Sequence, residues 1–250
     1  MRGNFGRTNY VFRKAQEYTD VYGSVASPKG VANKSFLLIA VTFLASLFGI
    51  FILGPVGSMS IYVPVVIIDL VLLLIMCFKP TAARSLSIPY AILEGLMIGA
   101  ISGILEVAWP GLGLAISGTA FIVTMIIFLV ASVLYLNGNI RVTNKFRKFM
   151  LTATLSLILG GLVIGIMSIF NPGVAYVFSY GPIALLVSLI YIVIATLYVV
   201  ISLDNAYQIV ESGLGQDYEW YAAFGILLNV IWLFYEVLRF LVMILARRDD

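Results

Sequence analysis

Residues 182–204 read PIALLVSLIYIVIATLYVVISLD, and none of the 22 positions before Asp204 carries a charge. A helix rises ~1.5 Å per residue, so a run of this length crosses the ~30 Å hydrocarbon layer of a bilayer. The stretch reads as a membrane span. The residues that follow, NAYQIVESG (205–213), turn polar. Asp204 therefore stands where the apolar run stops, and two readings are open for it: the first residue of a solvated loop, or one half of a site.

The pattern recurs along the chain, at about 35–54, 60–78, 88–107, 114–136, 150–170, 182–203 and 220–245. Of the 250 residues 62% are hydrophobic and 11% charged, and the mean hydropathy is +1.07. A soluble domain carries roughly a quarter charged residues, so this chain has too little polar surface for one. Pro55, Pro80, Pro110, Pro172 and Pro182 fall at or near the span ends, where they punctuate helices. The expected fold is an all-α polytopic membrane protein with seven transmembrane helices. Short connections make residues 35–250 one domain, preceded by a polar, basic tail over 1–34 that lacks a signal-peptide core. The lipid bilayer is the partner that this composition requires.

Orientation follows from Lys and Arg. With the N-terminus inside, the tail contributes six bases, the 79–87 loop Lys79 and Arg84, and the 137–149 loop Arg141, Lys145, Arg147 and Lys148. That puts 12 of 15 basic residues in the cytoplasm, and the 55–59, 108–113 and 171–181 loops hold none. The expected location is a membrane crossed with the N-terminus in the cytoplasm. Loop 204–219 holds four acids and no base, but acids count little in this rule. Arg247 and Arg248, after the last span, favour the inside and leave a re-entrant last segment as the alternative to a full seventh span.

Several function classes fall away. The single cysteine, Cys77, permits no internal disulfide, and the absence of histidine removes zinc-protease and Ser-His chemistry. Asp69 and Asp204 lack the surroundings of an intramembrane aspartyl protease, and the last span has no lysine for a retinal Schiff base. The net charge of +3 resides in short loops, so no nucleic-acid surface is expected. Neither enzymatic activity nor an organic cofactor is expected.

Ionisable groups inside a span are costly and face a cavity, a partner or a pathway. The candidates are Asp69, Glu94, Asp204, Glu236 and Arg239. Glu94 lies ~9 Å into span three and Asn229 ~13 Å into span seven, from the end where Asp204 leaves span six. Glu236 and Arg239, at i and i+3, can neutralise each other or form an outer gate. Asp69 is either a structural hydrogen-bonded acid or part of a pathway. The segments LEGLMIGAIS (93–102) and LGGLVIGIMS (159–168) share six of ten residues. In the first, Gly95, Gly99 and Gly103 form a small-xxx-small stripe suited to helix packing.

VANKSFLLIA (31–40), YAILEGLMIGAIS (90–102), LDNAYQIV (203–210) and YAAFGILLNVIWLFYEVLRFL (221–241) together resemble the transmembrane Bax inhibitor motif family, in its bacterial Bax inhibitor/YccA-like branch. The resemblance covers most of residues 31–245. It implies six helices wrapped around a central C-terminal seventh, with a pore gated by two aspartates near the cytoplasmic side. The first of these falls on Asp204 and the second on Asn229, which is not an acid. Two carboxylates sharing a proton push their titrations apart, and an Asp–Asn pair cannot do this. Glu94 is the candidate replacement acid.

The resemblance thus implies a pH-modulated, calcium-leak-like cation channel gated near the cytoplasmic ends of helices six and seven. Asp204, Asn229 and Glu94 would sense ions or protons, with Asp204 and Glu94 as weak calcium ligands, and Asp69, Glu236 and Arg239 in a pathway or gate. The alternative is a non-conducting regulatory protein that binds a membrane partner, such as a protease complex, through its basic tail.

Overall fold

The computed structural model describes residues 25–52, 59–138, 142–171, 173 and 182–247. Residues 1–24 of the basic tail, the 55–58 loop, Arg141, most of the 171–181 loop and Arg248 lie outside the described residues. Among the described residues there are seven α-helices: α1 (Pro28–Ile52), α2 (Met59–Phe78), α3 (Ala83–Ala108), α4 (Gly113–Leu136), α5 (Asn144–Phe170), α6 (Pro182–Glu211) and α7 (Asp217–Ala246). A 3₁₀ turn, Pro80–Ala82, joins α2 to α3. Six of the seven are long and apolar enough to cross a membrane, and α2 contributes a shorter apolar stretch, Tyr62–Phe78. The protein is an all-α polytopic membrane protein.

The helices outrun the apolar spans. α1 begins at Pro28 and α5 at Asn144, and α6 continues past Asp204 to Glu211. Asp204 therefore lies inside a helix, two turns before its end. What stops α6 is local: Gly213 adopts φ +66°, its N–H bonds to the Val210 carbonyl at 3.1 Å, and the Leu214 N–H bonds to the Ile209 carbonyl at 3.4 Å. Those two bonds are the Schellman pattern, and the expected apolar contact accompanies them, with Ile209 packed against Leu214 and Tyr218. α7 then starts with Asp217 and Glu219 in its first turn, where negative charge suits the helix dipole. Pro64 and Pro89 lie inside α2 and α3, as membrane helices tolerate.

Contacts divide the chain into two compact units. One runs up to Ile104 and adds Asp204–Leu227; the other comprises Leu105–Leu203 and the chain from Leu228 onward. In the first unit α3 buries Ala83, Ser87, Tyr90, Ala91, Gly95, Gly99 and Gly103, a single stripe at helical spacing. The stripe admits α1 to backbone contact. A Cβ at Gly95 would meet the Thr42 carbonyl oxygen and, at 2.6 Å, the Ala45 methyl. One at Gly99 would strike the Ser46 carbonyl and the Gly49 Cα at 2.8 Å. Met76 of α2 is also fully buried, with its sulfur 3.8 Å from the Ser87 hydroxyl of α3.

In the second unit Met150 of α5 clusters with Ile194 and Ile201 of α6, and Tyr198 and Trp232 pack against them. The Tyr198 hydroxyl accepts a hydrogen bond from Thr154 at 3.0 Å, and its ring stands 5.5 Å from that of Trp232. Glu106, at the end of α3, caps the start of α4: its carboxylate accepts from the Gly111 N–H at 2.6 Å and from the Leu114 N–H at 2.9 Å. Hydroxyls on the buried face of α4 turn back onto their own helix, Ser117 to the Gly113 carbonyl and Thr124 to that of Ala120. Burial is heaviest in α7, where half of the most apolar stretch is covered.

Candidate acid site

Two membrane carboxyl groups meet in the first unit. The carboxyl group of Asp69, on α2, is a close neighbour of that of Glu94, on α3. Two carboxyl groups in this position can hydrogen-bond to each other only when one of them carries a proton, because an ionised carboxylate only accepts. Glu94 is held from its own helix as well: the Tyr90 hydroxyl, one turn earlier, donates to Oε1 at 2.8 Å. Tyr90 is completely buried, and its ring meets that of Phe224 on α7 edge-on, with centroids 5.2 Å apart. The tyrosine thus has an apolar seat for its ring and a polar partner for its hydroxyl. Asp69 Oδ1 is buried with no hydrogen-bond partner among the described residues. An unpartnered buried oxygen next to a second carboxyl group is a place for a proton, a water or a cation.

Asp204 is half-buried, and its Oδ2 accepts from the Gln208 amide at 2.7 Å, one turn along α6. Asn229, on α7, is also half-buried. Glu236 is buried in the second unit and pairs with Arg239 at 2.9 Å. Its other oxygen accepts from the Trp232 indole at 3.2 Å, and the Arg239 guanidinium lies 5.0 Å from the centre of the Tyr191 ring. Local neutralisation accounts for both charges.

For metal ligation the donor set is sparse. Among the described residues no three carboxylate, thiol or imidazole groups converge. The Asp69–Glu94 pair supplies two carboxyl groups, fewer than a resident metal needs. Sequence reasoning singled out both acids but did not join them. It also passed over Glu106 as a cap and the buried Glu219; a glutamate ahead of WPGLG and an acid in the first turn of α7 were the readable signals.

No match was found among curated proteins or among solved structures. The sequence profile of the family described as Bax inhibitor 1 like matches residues 7–246, nearly the whole length, and the chain belongs to that family.

Proposed function

We propose that this protein is a leak-type cation channel, with calcium among its permeant ions, in which protonation of carboxyl groups inside the membrane sets permeability. The observation that carries this reading is the Asp69–Glu94 pair. Acids are costly at membrane depth and are kept where they line a pathway or handle protons. With one proton between them the two groups hold each other. Without it, two adjacent negative charges repel and draw a cation. Calcium takes roughly six to eight oxygen ligands, more than two carboxylates supply. Water completes the shell, so the ion is passed on rather than retained.

Asp204, the acid that the family resemblance assigns to helix six, is a further acid of the pathway in this reading. No catalytic step is assigned. The bias of Lys and Arg supports a cytoplasmic N-terminus, and the resemblance to the bacterial branch of the family implies a bacterial plasma membrane.

Calcium entry into proteoliposomes, followed from about pH 5 to pH 8, tests the proposal. Wild type should show a pH-dependent flux. Glu94→Gln and Asp69→Asn should hold the flux near its low-pH level throughout, because each keeps a hydrogen-bonding group while preventing two adjacent negative charges. Absence of flux at every pH overturns the reading in favour of a non-conducting regulator that engages a membrane protein through its basic tail. Co-purification with and without residues 1–30 then detects the partner.

A further inference from the structure

The start of α1 is capped by a residue 192 positions away. Ser27 is the N-cap: its hydroxyl accepts from the Gly30 N–H at 3.0 Å, and Pro28 fills the first helical position, where a missing N–H is no loss. In a capping box the third helical residue, a Glu or Gln, reaches back to the N–H of the cap residue. Here that position is Gly30, which has no side chain. The Ser27 N–H donates instead to Oε1 of Glu219 on α7, at 2.7 Å. A Cβ on Gly30 would land on the Glu219 carboxylate, so the borrowed group occupies the space that a local side chain would fill.

The same carboxylate is held from two other directions. The Ser27 hydroxyl donates to Oε1 at 3.1 Å, and Lys34, one turn further along α1, forms an ion pair with Oε2. The Lys34 ammonium lies 5.3 Å from the centre of the Trp220 ring. Glu219 is only 1% exposed, a depth at which a charge is tolerated because it is paired and fully hydrogen-bonded. Backbone bonds extend the contact: the Ala26 N–H donates to the Leu214 carbonyl at 2.7 Å, and Val25 bridges Gly215. From the start of α3, Arg84 pairs with Asp217 at 2.8 Å.

We propose that Glu219 completes the α1 capping box in trans, so that the first turn of α1 and the turn between α6 and α7 dock and undock as one unit. The clasp sets where α7 begins, and neither segment can be fully satisfied without the other. Glu219 is a positioning residue in this arrangement. One consequence runs against ordinary expectation. Replacing a helical glycine by alanine normally stabilises the helix, but at Gly30 the new methyl displaces the carboxylate and opens the clasp.

Hydrogen exchange on the intact protein in lipid nanodiscs, resolved over residues 27–34 and 212–219, tests this. Glu219→Ala should accelerate exchange in both segments by at least about fivefold, the ratio that corresponds to losing one helix cap. Gly30→Ala should accelerate exchange at 212–219 as well, and should lose that effect in the Glu219→Ala background. The proposal is overturned if Gly30→Ala slows exchange in α1 or leaves 212–219 unchanged, or if Glu219→Ala disturbs only its own segment. Should Glu219→Ala fail to fold, Gly30→Ala alone decides, because the two accounts give it opposite signs.

Discussion

LEGLMIGAIS (93–102) and LGGLVIGIMS (159–168) agree at six of ten positions, yet they meet opposite surroundings. On α3, Gly95 and Gly99 are pressed against the backbone of α1. Their counterparts on α5, Gly161 and Gly165, have no described residue within reach of where a Cβ would stand. Among its described residues α5 buries Met150 alone. The stripe is therefore a permission and not an instruction. In lipid no hydrophobic force favours a helix over an acyl chain, so close approach needs small groups on both sides. α1 provides them, with Ala45 and Gly49 facing the α3 glycines. The two segments also differ in chemistry: Glu94, which meets Asp69, occupies the place that Gly160 takes on α5.

Paired substitutions can break this comparison. The largest effect is expected from Gly99→Leu, which has only backbone to displace and should cost about 3 kcal/mol or more. Gly165→Leu should stay within about 0.5 kcal/mol, as an open position does. Denaturant unfolding in micelles reads both, and equal losses would dissolve the distinction. An intermediate effect belongs to Tyr90→Phe, which removes the bond to Glu94 but keeps the ring against Phe224. About 1 kcal/mol should be lost, the worth of one hydrogen bond, and any change in the pH profile of flux should follow that of Glu94→Gln. The smallest effect sharpens the likeness. Ser102 and Ser168 occupy matching positions, and each donates to its own helix, to the Ile98 carbonyl at 2.8 Å and to that of Ile164 at 2.7 Å. Alanine at either should change stability by less than about 0.5 kcal/mol, and equally, because neither hydroxyl holds another helix.

Legibility from sequence varied with the distance over which each feature is decided. The seven helices could be read from runs of apolar residues, and the Glu236–Arg239 pair from its i, i+3 spacing. The end of α6 was misplaced because the apolar run and the helix stop for different reasons. The first ends where solvation becomes acceptable, the second where Gly213 takes a left-handed conformation. The partner of Glu94 was not readable. Six residues into a span gives a height, but not the direction around the helix axis in which the carboxylate points. Nor was Glu219 readable as a cap, since Ser27-Pro28 announces a helix start and says nothing of a distant acid in place of the missing third residue.

The sequence by itself determined that the chain lives in a bilayer, that it does so as helices, and which family it belongs to. Those properties follow from hydrophobicity and from backbone bonds that each segment satisfies internally. Only the tertiary structure decided which acids face each other, which glycine stripe is seated and which residue caps α1. Each of these depends on the rotation and height of one helix against another, and packing across the whole chain sets both. Two similar stretches could therefore take different roles, one as a backbone contact carrying an acid and the other as a face whose glycines meet no helix among the described residues.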